Sequence, residues 1–181
     1  NSSNGRFSRA ASVRPSSAQK AWLTWWMRPS CQTMAMPMAA CVKAAVKRAR
    51  AAQRMTVTSA AGTDLSVDMT GAITAGVWGW TDRPGTVAHW PGGVVVSFPR
   101  AGTVNGTLVL DAGDVNLTFK RYVRDPVTLR IENDYVRAIE GGGMDADMMR
   151  EYFAAWGDAE AYAVSHVGWG MNPQARWYAL A

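Results

Sequence analysis

The sequence predicts an α+β fold, mostly sheet, with antiparallel or mixed strands and two or three helices. Three observations carry that expectation. Between Met55 and Ile139 apolar residues recur with a period near two, in runs of five to eight residues bounded by Gly, Pro, Asn and Asp. The stretches 39–53 and 144–156 show helical spacing instead. The 181-residue chain is 48% hydrophobic with nine tryptophans, enough for a real core and unlike a disordered polymer.

The elements follow in order. Residues 1–40 form an unpatterned basic leader, punctuated by Pro15, Pro29 and Pro37, with Trp22, Trp25 and Trp26 as a local apolar patch. Residues 41–181 form the α+β domain. Alanine dominates 39–53, which puts Val42, Ala45, Val46 and Ala49 on one helical face and Lys43, Lys47 and Arg50 on the other. The period then drops to two: Met55–Ser59 is a strand, Ala61–Asp64 a turn and Leu65–Met69 a second strand. Trp78 to Trp90 is a loop rich in Gly, Pro and Trp. Gly93–Phe98 is apolar enough in succession to read as a strand buried on both faces. Asn105-Gly106 reads as a turn that leads into a strand ending at Leu110. Val115–Tyr122, Val127–Glu132 and Tyr135–Ile139 give a meander, with Asn133-Asp134 as a hairpin tip. Gly141-Gly142-Gly143 lacks the Lys-Ser/Thr of a phosphate loop and links strand to helix. In the helix 144–156, Met148, Met149, Tyr152, Phe153 and Trp156 share a face, and Asp145 and Asp147 favour its N-terminus. Ala161–Val164 reads as a last short strand running into a glycine-rich loop.

Charge excludes more than it reveals. Residues 1–63 hold ten Lys/Arg and no acid, whereas 64–181 hold nine bases and fourteen acids, so the net +5 comes from the leader. The leader bases are scattered among Ser, Ala and Met with no aromatic platform or nucleic-acid motif, which argues against nucleic acid as a partner. No apolar run reaches the roughly 18 residues of a membrane helix, so no membrane association is expected. The Ser/Arg-rich start has transit-peptide composition without amphipathic order, and a cytoplasmic location is the default. Cys31 and Cys41 are too few for a disulfide framework or a Cys-x-x-Cys zinc site.

Chemistry concentrates around the two histidines. His166 lies in Ser165-His166-Val167-Gly168-Trp169-Gly170-Met171-Asn172-Pro173, where glycines permit close approach of a ligand or metal. It reads either as a metal ligand or as a histidine bonded within its loop. His89 precedes Trp90 and the Pro91-Gly92-Gly93 turn. It reads either as a substrate-binding or catalytic base near neutrality, or as a ring packed on Trp90. Trp78, Trp80 and Trp90 either wall an aromatic-ring pocket or cover a core. Asp64 and Asp82 are loop carboxylates, and Asp64 reads better as a turn cap.

Three stretches taken together resemble the metal-binding half of the aminopeptidase T type metallopeptidase superfamily. They are Met55-Thr56-Val57-Thr58 with Gly62-Thr63-Asp64-Leu65, Trp90-Pro91-Gly92-Gly93-Val94-Val95, and Thr103-Val104-Asn105-Gly106-Thr107. The histidine loop is similar to one branch, the 2,5-dihydroxypyridine 5,6-dioxygenases. The resemblance spans about residues 50–181 and implies the metal-binding domain of that fold, incomplete at its C-terminus. In the peptidases a metal-binding glutamate follows the Pro-x-Gly turn; Val94 stands there and cannot coordinate. A second peptidase glutamate falls at His166. Those changes disfavour a two-metal aminopeptidase and suit a mononuclear non-haem iron(II) site, whose remaining His-x-Asp ligands the resemblance puts further along the chain. The implied function is part of an iron(II) ring-cleaving dioxygenase acting on a hydroxylated pyridine or similar ring. Its partners would be a small aromatic substrate and O2, and a homo-oligomer is compatible with it. The alternatives are a leucyl-type metalloaminopeptidase with two divalent metals such as Zn or Co, or an inactive truncated remnant. Under this reading His166 is the metal ligand and His89 the candidate catalytic residue.

Overall fold

The computed structural model describes residues 38–81, 84–89 and 92–173. The leader to residue 37, with Cys31, and the positions Asp82 and Trp90 lie outside the described residues. Helix α1 (Met38–Ala51) leads into β1 (Arg54–Thr58), β2 (Asp64–Asp68), β3 (Ile73–Val77) and β4 (Val94–Phe98). Then come β5 (Val104–Leu110), β6 (Val115–Asn116), β7 (Arg121–Tyr122), β8 (Val127–Glu132), β9 (Tyr135–Glu140), helix α2 (Met144–Ala155), a 3-10 turn (Ala159–Tyr162) and β10 (Val167–Gly170). The expected α+β class is observed, with every strand pairing antiparallel.

Two sheets carry the architecture. One has the order β1-β2-β5-β8-β9 and the other β10-β4-β3, with β6-β7 a separate small hairpin. Side-chain alternation makes the larger sheet two-faced. Met55, Leu65, Val67, Val104, Leu129 and Ile131 share its buried face. On the opposite face Arg130 pairs with Glu140 at 3.2 Å and donates to Thr107 Oγ1 at 2.9 Å, in contact with solvent. Asn133 and Asp134 both take positive φ, the two-residue turn geometry that matches strand twist. The Asp134 carboxylate also accepts from the Val104 N–H at 2.7 Å, pinning that hairpin to β5.

The smaller sheet was only partly legible. Strand β3 was not expected, because Ala75-Gly76 interrupts its β-branched residues Ile73, Thr74 and Val77 and leaves no clear apolar alternation. Gly76 is there for space: a Cβ would stand 2.5 Å from Val42 Cγ1 and 2.8 Å from Val46 Cγ2, the buried face of α1. Gly76→Ala is therefore expected to destabilise by about 1–3 kcal/mol through overpacking, read from denaturant unfolding. A neutral result would show that α1 can ride outward without loss. Strand β4 is not buried on both faces. Val95 and Ser97 are buried, with Ser97 Oγ bonded to Thr74 Oγ1 at 2.8 Å, but Val94 and Phe98 on the other face are 39% and 44% exposed.

Other expectations are corrected too. Asn105-Gly106 is no turn: both lie inside β5, paired across to Ser66 and Leu65. Gly106 takes φ +122°, and a Cβ would fall 2.2 Å from the Asp64 carbonyl oxygen, so a close strand crossing demands it. Val115–Tyr122 is not one strand but the β6-β7 hairpin, turned by Lys120 at positive φ. On α2 only Met149 of the expected apolar stripe is buried, while Tyr152 and Trp156 are exposed. The expected strand Ala161–Val164 is a 3-10 turn capped by Asp158, which accepts from the Glu160 N–H at 2.9 Å; a single bridge joins Ala163 to Tyr135. The strand lies one step later, at β10, where glycines masked it.

Candidate functional site

His166 therefore precedes β10 rather than following a strand. Continuing the β10–β4 register, in which Val167 faces Ser97, sets His166 beside Phe98. The two rings stand 5.7 Å apart at an interplanar angle of 52°. Ser165 Oγ lies 3.1 Å from His166 Nδ1. In the tautomer whose Nδ1–H donates to that hydroxyl, the lone pair on Nε2 is left for a metal or a proton. The side chain is exposed, so it is reachable.

The imidazole stands at a cleft of about 440 Å³ between the two sheets. Met55, Leu65, Val104 and Ile131 line it from the larger sheet, Val94 and Val96 from the smaller. That volume is in the range of small-molecule pockets, and its walls are apolar enough to exclude water from a bound ring. Among the described residues that line it, His166 is the only titratable side chain. Val94, where the peptidase resemblance calls for a glutamate, supplies a methyl-bearing wall and no ligand.

His89 is elsewhere. It lines a second cavity of about 560 Å³ with Lys43, Lys47, Arg50, Trp78 and Trp80, none of which borders the cleft of His166. The structure does not bring the two histidines to one cavity. Trp78 and Trp80 border this second cavity, and Trp78 also packs against the core. Asp64 opens β2 and is exposed. Among the described residues no three His, Cys, Asp or Glu side chains gather as a metal site. One imidazole does not fit a mononuclear iron by itself, since such a centre takes two histidines and a carboxylate.

The site that sequence reasoning missed is structural. Asp145, expected only to favour the start of α2, is buried; its Oδ2 accepts from the N–H groups of Arg124 at 2.8 Å and Asp125 at 3.0 Å. Arg121 Nη2 sits 3.3 Å from its Oδ1. Burial disfavours the carboxylate, but the two backbone donors and then Arg121 outweigh it and hold its pKa below the usual carboxylate value. No local sequence signal ties residue 145 to 121–125.

Comparison with known proteins then decides the family. The family model described as 2,5-dihydroxypyridine 5,6-dioxygenase matches residues 32–181. The chain belongs to the 2,5-dihydroxypyridine 5,6-dioxygenase family. The 2,5-dihydroxypyridine 5,6-dioxygenase of Pseudomonas putida KT2440 is 38% identical over 139 residues, covering 77% of this chain and 39% of that protein. The solved structure of the 2,5-dihydroxypyridine dioxygenase from the same organism superposes with TM-score 0.73 at 33% identity, over 92% of this chain and 42% of its own. The chain thus spans about two-fifths of the length of the relatives it matches. No helix among the described residues is long and apolar enough to cross a membrane.

Proposed function

We propose that this chain is the part of a ring-cleaving dioxygenase that carries one iron(II) ligand, His166, and an apolar wall for a hydroxylated pyridine. The observation that carries the reading is an exposed imidazole at the mouth of an apolar cleft in a member of this family. The other ligands, a His-x-Asp pair, would come from the part of a longer protein that lies outside the match. Iron(II) in such a site supplies open positions at which substrate and O2 bind together.

The chain's own residues have simpler tasks. The cleft side chains remove water from one face of the ring and fix its plane. Ser165 sets the His166 tautomer, which aims Nε2. His89 lines the other cavity and has no part in this chemistry. A cytoplasmic, homo-oligomeric protein with kinship to the aminopeptidase T type metallopeptidases completes the reading.

The test uses a longer form carrying the later His-x-Asp. Loaded anaerobically with Fe(II), it should take up about one iron per chain and, with 2,5-dihydroxypyridine and air, consume O2 as the ring absorbance falls. Paired zinc or cobalt with peptide hydrolysis would put the aminopeptidase reading in its place.

A further inference from the structure

The second cavity has a chemistry of its own. Lys43, Lys47 and Arg50 project from successive turns of one face of α1. Across from them stand Trp78 and Trp80, which follow β3. The Lys43 ammonium lies 5.5 Å from one indole and 6.0 Å from the other. Arg50 is fixed in the wall, donating to the Thr74 carbonyl through Nε at 3.1 Å and Nη2 at 2.8 Å. Among the described residues no Asp or Glu lines the cavity, and none of the four ion pairs uses these three cations. Residues 1–37 hold no acid either.

We propose that this cavity binds a small planar aromatic carboxylate, its ring against the indoles and its carboxylate between Lys43 and Lys47. Three features select that class. The volume of about 560 Å³ suits a molecule of one or two rings. Trp80, 51% exposed, keeps a free flat surface for stacking. The positive charge comes from flexible ammonium groups rather than the backbone N–H cradle of a phosphate site, and a pair of them with no carboxylate partner among the described residues favours an anion. Lys43 need not leave the indoles, because a carboxylate can approach the side of the ammonium that faces away from the rings. Among the described residues this site shares no lining with the His166 cleft, and the proposed contacts do not involve iron.

Benzoate is the probe, titrated into the 181-residue chain while the indole N–H signals are followed by NMR. Saturable shifts of the Trp78 and Trp80 signals are expected, with binding about tenfold weaker for the neutral isostere benzamide. Lys43→Met combined with Lys47→Met should weaken benzoate by about tenfold or more, and both residues are exposed, so the fold should survive. Trp80→Ala should weaken it as well, while His166→Ala should leave it unchanged. Equal affinity for benzamide, displacement of benzoate by an equal concentration of sulfate, or no saturation would each overturn the proposal. Loss of benzoate binding on His166→Ala would move the ligand to the other cleft and overturn it too.

Discussion

Asp145→Ala should destabilise the domain by about 2–4 kcal/mol, among the largest losses available from a single side chain. The carboxylate is 4% exposed and ties the Arg124–Asp125 backbone to the first turn of α2. Alanine leaves two N–H donors without their acceptor at about 1–3 kcal/mol each, and strands a cation beside them. The upper limit is discounted because Arg121, 30% exposed, can turn to water. The acid dependence follows from the same contacts. The folded-state pKa lies below that of the unfolded chain, so the contribution is fully present above the ordinary carboxylate range near ~4 and is lost as pH falls through the folded value. Urea unfolding at pH 7 and in the acid range is the measurement. A loss under about 1 kcal/mol, or an unchanged acid limb in Asp145→Asn, would show that the α2 junction is held by packing alone.

What the sequence revealed follows from where the physics is local. The larger sheet and α1 were legible because burial of one face writes itself as period two or period 3.6, as in Leu65-Ser66-Val67 or Val42, Ala45, Val46 and Ala49. Strands β3 and β10 were not, because glycines interrupt both, Gly76 in the first and Gly168 and Gly170 in the second, and hide the alternation. Gly76 answers to Val42 and Val46, residues that the strand pattern never sees. Asn105-Gly106 misled for the same reason: the sequence signal of a turn was spent on a close approach between strands. At the site, His166 could be singled out and its family named from the motif around it. Its separation from His89 could not, since the side of a sheet that a loop reaches depends on β3, which was unseen. The Asp145 junction joins residues some twenty positions apart and leaves no periodic mark.

His166→Ala should abolish stoichiometric iron binding in a longer form of the protein, while the 181-residue chain alone should bind Fe(II) only weakly. The argument is ligand count. A centre of two histidines and a carboxylate that loses one imidazole keeps two ligands, and the water that takes the vacancy contributes neither charge nor preorganisation. The affinity should fall by well over about a hundredfold, the upper range seen even for losing a supporting contact to a ligand. Among the described residues no three His, Cys, Asp or Glu side chains gather, and those that line the cleft offer His166 neither a carboxylate nor a second imidazole. Exposure at the cleft mouth also makes the substitution benign for folding, so lost binding would not reflect an unfolded chain. Anaerobic Fe(II) titration of both forms, with thermal melts alongside, is the measurement. Tight binding by the 181-residue chain would mean that donors outside the described residues complete a site here. Undiminished binding by the His166→Ala longer form would mean that the imidazole faces substrate or solvent rather than iron, and the ligand assignment would have to move.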